Sequence, residues 1–464
     1  MRQSLQKNIN FTEGRIIPKL ILFAVPIILS ELLQSLYNSV DSLVVGKYVG
    51  SAALAAVSVC GPISNLLIGF FNGMSIGNTV VVAKAFGSGD EEETKKAVRY
   101  AFTFSIVLGV VVSALGILLA PFLLRLTGCN EEIYAEAIVY LRIYLAGLMF
   151  TVIYNCGTGI LRAVGDSRSP LYVLALTSAV NILLDLLFVG LFGWGTAGVG
   201  VATILAQGIS VLLVHRLIRR RIRTHAVALE ETWREGRRQI AASVSVGFSA
   251  GLQNALISFS NIFVWSYINA FPTAVTAGIG AAVKIDRFVI LPCKALTMTT
   301  TTYVSQNLGG GQYERAKRGI WYGLGLSAAV TALLAFPLIF FAKPAAGLFS
   351  DEPDVIEAAV SMVHFFLPFY GVMVVREVLL GYLRGYGRSR MPMILTILAM
   401  VALRQIYLAL ATARWPGKLC VINASFPFGW CFAMLFLLGY TLIIRKKMWR
   451  QAGERGKKSE AAAG

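Results

Sequence analysis

Charge is scarce in this chain. Asp, Glu, Lys and Arg make up 14% of its 464 residues, where soluble domains carry roughly 25%. That deficit argues against a domain whose whole surface faces water. Histidine occurs three times only. The six Cys never stand as C-x-x-C, and most lie in apolar runs, which argues against a zinc site or a disulfide framework. No G-x-x-x-x-G-K-[ST] occurs, so ATP is not the energy source within this chain. A secretory signal is also missing. The first apolar run continues past signal length, and polar Glu31, Gln34 and Asp41 follow.

What is present is apolar length. Hydrophobic residues make up 56% of the chain, and mean hydropathy is +0.68. Runs of about 20 residues, enough to cross a bilayer as helices, recur throughout. They are too long for barrel strands, and in lipid the backbone must bond internally. The sequence therefore predicts an all-α membrane protein with twelve transmembrane helices. Expected spans are 16–46, 53–76, 97–123, 133–160, 170–192 and 196–218, then 239–269, 274–300, 316–341, 355–383, 391–412 and 420–444. Pro26 inside the first span removes a ladder donor and favours a bend.

The formal charge of +18 is distributed by topology rather than in a nucleic-acid patch. With the N-terminus cytoplasmic, 31 Lys and Arg fall on cytoplasmic segments. About five, Lys47, Arg125, Lys343, Arg414 and Lys418, fall outside. That asymmetry places both termini inside. Residues 219–238 form a basic linker, with a short helix over Leu229–Arg238 suited to anionic headgroups or simply to solvent. The expected organisation is an N-lobe over 1–218, this linker, a C-lobe over 239–446 and a basic cytoplasmic tail over 447–464.

The two lobes repeat. Leu161-Arg162-Ala163-Val164-Gly165-Asp166-Ser167-Arg168-Ser169-Pro170 returns as Leu383-Arg384-Gly385-Tyr386-Gly387-Arg388-Ser389-Arg390-Met391-Pro392, 222 residues later. Gly87-Ser88-Gly89 returns as Gly309-Gly310-Gly311 at the same offset. Two segments in one register indicate a duplicated half. Parallel repeats of this kind place a substrate site between them.

Ionisable groups at membrane depth are functional candidates. Asp41 lies toward the outer end of the first span, and Asp185 toward the outer end of the fifth. Asn181 stands four residues before Asp185, on the same helix face. Thr203 falls at similar depth in the sixth span. Two carboxylates held close in low dielectric titrate as a coupled pair, and these oxygen donors also suit Na⁺. Binding H⁺ or Na⁺ discharges the site and frees the first span to change shape near Pro26. The plainer alternative is that each Asp only bonds a neighbouring helix.

These residues carry a resemblance. Asp41 within Tyr37-Asn38-Ser39-Val40-Asp41, Gly87-Ser88-Gly89, Leu161-Arg162-x-x-Gly165, and Asn181-x-x-x-Asp185 followed by Gly195-x-x-Gly198 and Ala202-Thr203 are similar to the multidrug and toxic compound extrusion (MATE) transporters. Gln306-Asn307-x-Gly309 and Leu383-Arg384-x-x-Gly387 extend the likeness over nearly the whole chain. The resemblance implies two pseudo-symmetric six-helix lobes of MATE/MOP type and a secondary active antiporter rather than an enzyme. It implies export of amphipathic, typically cationic, drugs or toxins in exchange for H⁺ or Na⁺, with no cofactor. Asp41, Asn181, Asp185 and Thr203 are then the coupling site. Gln34, Tyr37, Gln253, Lys284 and Arg404 are weaker candidates for touching cargo in the cleft. The expected setting is the plasma membrane of a prokaryote, with lipids as neighbours, no nucleic-acid partner and a monomeric state.

The chain departs from the family in its second half. Some members carry an acid in the seventh span, where this chain has Gln253 and Asn254. Basic groups at membrane depth (Lys284, Arg287, Lys294, Arg376, Arg404) exceed Asp286 and Glu377 there. Pairing is the expected arrangement, Asp286 with a nearby Lys or Arg and Glu377 with an Arg of a neighbouring helix. A basic cleft instead supports the alternative, a lipid-linked oligosaccharide or lipid flippase of the same superfamily. Two literal motifs are set aside. Gly193-Trp194-Gly195-Thr196-Ala197-Gly198 has no βαβ unit around it, and Gly247-Phe248-Ser249-Ala250-Gly251 lies mid-helix, where small residues serve close packing.

Overall fold

The computed structural model describes residues 8–463 apart from 50, 128 and 223–228. At 38–47, 51–55, 126, 132, 229–233, 235 and 447–463 it describes the helical backbone alone. Among the described residues all regular structure is helical. In the first half these elements are α1 (Ile16–Tyr48), α2 (Ser51–Gly87), α3 (Glu91–Leu126), α4 (Glu131–Ala163), α5 (Arg168–Asp185) and α6 (Gly195–Ile222). The second half has α7 (Leu229–Ile268), α8 (Thr273–Gly309), α9 (Tyr313–Ala335), the short α10 (Leu338–Gly347), α11 (Pro353–Phe366) and α12 (Tyr370–Gly385). It ends with α13 (Arg390–Ile397), α14 (Arg404–Arg414) and α15 (Leu419–Ala463). α5 runs on through a π-helical turn at Leu186–Leu191, α11 joins α12 through a 3₁₀ turn, and α13 joins α14 through a second π-turn at Leu398–Leu403.

Eleven of these stretches are long and apolar enough to cross a membrane. α8 is the twelfth. It is 37 residues long, but Lys284, Asp286, Arg287 and Lys294 interrupt its apolar run. The fold is thus twelve transmembrane helices in two six-helix lobes. α2 and α8 extend well past the apolar segments that mark them in the sequence. Their polar ends are packed inside protein, as buried Asn78 and Thr79 in α2 and buried Gln306 and Asn307 in α8 show. Leu229–Arg238 is the opening of α7 itself rather than a separate short helix.

The chain divides into two compact units, Met1–Phe11 with Val25–Gly251, and Thr12–Ala24 with Leu252–Gly464. The division inside α1 falls one residue before Pro26, through which the helix continues. In the first unit the core packs α4 against α2, α3 and α6, around Phe71, Leu141, Leu145 and Val199. In the second unit α8 is central, packed on α9, α11 and α12, with Ile279, Met362, Phe366 and Trp430 buried.

The repeat is visible in hydrogen bonds. Ser75 Oγ donates to the Asn155 carbonyl at 2.7 Å and Thr79 Oγ1 to the Gly159 carbonyl at 3.2 Å. Moved by 222 residues these become Thr297 Oγ1 to Glu377 Oε2 at 3.3 Å and Thr301 Oγ1 to the Gly381 carbonyl at 3.0 Å. Both helix pairs cross closely. A Cβ on Gly159 would stand 2.5 Å from Ser75 Oγ, and one on Gly381 2.6 Å from the Thr297 carbonyl.

The repeated Leu-Arg-x-x-Gly motif is a helix stop. Gly165 and Gly387 take left-handed φ of 83° and 78°, which glycine adopts without a Cβ clash. Their N–H groups bond Arg162 and Arg384 carbonyls, while Asp166 and Arg388 N–H groups reach back to Leu161 and Leu383. This Schellman pattern satisfies the orphan carbonyls of α4 and α12.

The two motifs set aside also have structural roles. Gly195 opens α6 after a short turn, and Gly247 and Gly251 lie in α7, where added Cβ atoms would stand 2.7 Å from the Met74 carbonyl and 2.5 Å from that of Phe70. Ser249 Oγ donates to its own helix at Ser245.

Candidate cation-coupling site

The first unit gathers polar side chains from α1, α5 and α6. Asn181 and Asp185, one turn apart on α5, are 1% and 0% exposed. With its nitrogen turned toward the acceptors, the Asn181 amide donates to Asp185 Oδ2 at 3.0 Å and to Tyr37 Oη at 3.2 Å. Its oxygen accepts from the Thr203 backbone N–H at 3.3 Å. One amide thus ties three helices together. Asp185 is the last residue of α5 before the π-turn at Leu186–Leu191, and such turns are frequent at functional sites. Thr203 Oγ1 donates to the Val199 carbonyl at 3.0 Å, which leaves the hydroxyl's lone pairs as acceptors. The geometry therefore brings a carboxylate, an amide and a phenol together around two buried residues, with the Thr203 backbone N–H closing the cluster, a set rich in hard oxygens.

The structure brings Asn181, Asp185 and Thr203 together. Asp41 lies on α1 among the residues whose side chains are outside those described. Tyr37, a cargo candidate in the sequence, belongs to this cluster. Its four-residue spacing from Asp41, the same as Asn181 to Asp185, was the signal available for it. Gln34, half-buried, stands three residues before Tyr37 on α1.

The remaining candidates fall in the second unit and do not form one cluster. Gln253 is buried and accepts from Arg384 Nη2 at 3.3 Å. Lys284 is exposed and lines a cavity of 360 Å³ with Thr273, Phe349, Ser350 and Glu352. Its Nζ lies 5.4 Å from the Phe349 ring centroid. Arg404 is 1% exposed inside the lobe. The expected partners, a nearby Lys or Arg for Asp286 and a neighbouring helix's Arg for Glu377, are not the ones bonded. Glu377 pairs with its own neighbour Arg376, and Asp286 accepts from Tyr370 Oη at 2.5 Å. A charge-only reading had no reason to choose a tyrosine. All six Cys are free thiols.

Comparison with known proteins agrees with this architecture. The MatE family model matches twice, over residues 26–187 and 250–409, once per lobe. The chain is 30% identical over 440 residues to "Probable multidrug resistance protein YpnP" of Bacillus subtilis, covering 93% of this chain and 96% of that protein. It is 26% identical over 369 residues to the FAD transporter of Shewanella oneidensis, covering 76% and 79%. A crystal structure of MATE in the bent conformation superposes with a TM-score of 0.87 at 21% identity, covering 97% of this chain and 99% of that one. A family match on both halves, a full-length relative and one fold lead to a single conclusion: this chain belongs to the MatE family, the multidrug and toxic compound extrusion transporters.

Proposed function

We propose that the protein is a secondary active antiporter that exports amphipathic organic compounds, cationic ones foremost, in exchange for inward H⁺ or Na⁺. The carrying observation is the cluster of buried Asn181 and Asp185 with half-buried Tyr37 and Thr203. Asp185, together with Asp41, is the group discharged by the coupling ion, and Asn181, Thr203 and Tyr37 orient it. Neutralisation removes a charge from low dielectric, which shifts the balance between two lobe conformations. The "multidrug resistance" names of relatives such as YpnP support small-molecule drugs as cargo. Bacterial relatives and the Lys/Arg asymmetry support a prokaryotic plasma membrane with both termini cytoplasmic. The domain limits proposed are an N-lobe through 218, a linker over 219–238, a C-lobe through 446 and a basic tail, in a monomer.

The flippase alternative needs a basic cleft built from Lys284, Arg287, Arg376 and Arg404. Arg376 is paired with Glu377 and Arg404 is buried, so the observations favour drug export. The test is efflux of a fluorescent amphipathic cation from proteoliposomes of the intact protein. A pH gradient alone or a Na⁺ gradient alone should drive uphill export. If neither does, the antiporter reading fails.

A further inference from the structure

Lys284 stands well inside α8, about 17 Å from the helix start at Thr273 at 1.5 Å per residue. An ionisable group that deep in a membrane helix faces protein or water rather than lipid, and is a functional candidate. Here it faces the cavity of 360 Å³, whose lining belongs entirely to the second unit. Pockets for small ligands span roughly 300–1,000 Å³. The floor is one stripe of α8, on which Thr273, Ala277, Gly280 and Lys284 recur at helical spacing. Gly280 marks open space directly, since a Cβ added there would meet no heavy atom within 4 Å.

The wall comes from the segment between α10 and α11. The Phe349 ring lies beside the ammonium, 5.4 Å from centroid to Lys284 Nζ. Ser350 Oγ accepts from the Glu352 backbone N–H at 3.2 Å. Glu352 is the N-cap residue of α11, yet its carboxylate makes no capping bond. Two opposite charges thus line one cavity without meeting. Among the described residues neither Lys284 nor Glu352 has an ion-pair partner. Asp351 and Asp354 flank Glu352 in the chain and Arg287 follows Lys284 by three residues, all exposed, but none of these lines the cavity.

We propose that this cavity binds a zwitterionic aromatic compound, one that carries an amine and a carboxylate on a flat apolar body. The ligand's carboxylate meets Lys284 and its amine meets Glu352. Its ring lies on the alanine and glycine floor against Phe349, where aromatic rings pack edge-to-face or offset. A bare cation leaves Lys284 unopposed, and a bare anion leaves Glu352 unopposed. A ligand of both signs opposes each, so selectivity follows the placement of charge rather than its sum. The site is separate from the Asn181–Asp185 cluster, which belongs to the first unit. Its occupancy is read at equilibrium with no ion gradient, so its failure and a failure of the antiporter reading are distinct results.

The test uses the purified full chain in nanodiscs and three probes on one indole skeleton: tryptophan, tryptamine and indole-3-propionate. Saturation-transfer NMR titrations give each affinity, with empty nanodiscs as background. Tryptophan should saturate and bind about fivefold or more tighter than either singly charged probe, the scale of one solvated charge contact. Lys284→Met should weaken tryptophan and indole-3-propionate but not tryptamine. Glu352→Gln should weaken tryptophan and tryptamine but not indole-3-propionate. Gly280→Leu fills the open space and should abolish binding of all three, with an unchanged thermal midpoint. Tryptophan binding that never saturates in the wild type, or that is no tighter than tryptamine, overturns the proposal. So does wild-type tryptophan affinity in folded Gly280→Leu. Should that variant not fold, an unchanged order of the three probes in Lys284→Met overturns it.

Discussion

Replacing Asn181 with Ala should shift the ion dependence of export without altering cargo affinity. The structure sets the magnitude. The side chain makes three hydrogen bonds, to Asp185 Oδ2, to Tyr37 Oη and from the Thr203 N–H. A bond to a charged group contributes about 1.5–3 kcal/mol and a neutral one about 0.5–1.5. Their loss therefore amounts to about 3–5 kcal/mol at a fully buried site, shared between folding and ion binding. If a third of it falls on the ion equilibrium, the half-maximal ion concentration moves about tenfold, since each 1.4 kcal/mol is a factor of ten. The assay is initial export rate in proteoliposomes against concentration of the coupling ion, with thermal unfolding measured in parallel. Asn181→Leu, which keeps the approximate volume but neither donor nor acceptor and adds no charge, controls for packing. An ion titration identical to wild type in Asn181→Ala, with the protein folded, would refute the assignment of the cluster.

Three structural predictions test the frame around that site. Gly159→Val and Gly381→Val drive a side chain into contacts of 2.5 Å and 2.6 Å; each should destabilise by about 1–3 kcal/mol or more, read as a lower thermal midpoint. Arg221→Met removes the 3.0 Å ion pair with buried Asp166 and the bonds to Asn8 Oδ1 and Ser169 Oγ. It should cost about 3 kcal/mol, with Arg221→Lys recovering part of it in the same unfolding assay. Gly165→Ala meets both a left-handed φ and the Ile9 carbonyl at 2.1 Å. It should lower stability by more than the 1–2 kcal/mol of backbone strain alone, and detachment of the N-terminal segment should appear as faster amide exchange at Ile9.

Much of this was legible in the sequence because the repeat wrote it twice. The 222-residue register found from Leu161 and Leu383 is the register of the Ser75–Asn155 and Thr297–Glu377 contacts. The Asn181–Asp185 spacing gave the helix face on which the cluster forms. What stayed hidden depends on helix crossings, which leave no period in the sequence. Tyr37 reaches Asn181 only because α1 crosses α5, and Tyr370 reaches Asp286 across α8 and α12. Neither π-turn has a composition of its own, so neither Leu186–Leu191 nor Leu398–Leu403 could be read as one. Arg376 and Glu377 are adjacent, and adjacent helical side chains diverge. Their pairing becomes favourable only because both are buried in the same lobe. The polar ends of α2 and α8 were invisible to hydropathy because protein, not lipid, surrounds them.

The central claim is that Asp185 couples an ion gradient to cargo movement. Asp185→Asn keeps the volume and an oxygen that can accept from Asn181 while removing the charge. The decisive measurement compares uphill, gradient-driven export with downhill cargo exchange in proteoliposomes of this variant and of the wild type. The wild type should sustain about a tenfold cargo gradient for each 1.4 kcal/mol of ion driving force, whereas Asp185→Asn should build none and remain folded. Full uphill export by Asp185→Asn would contradict the account.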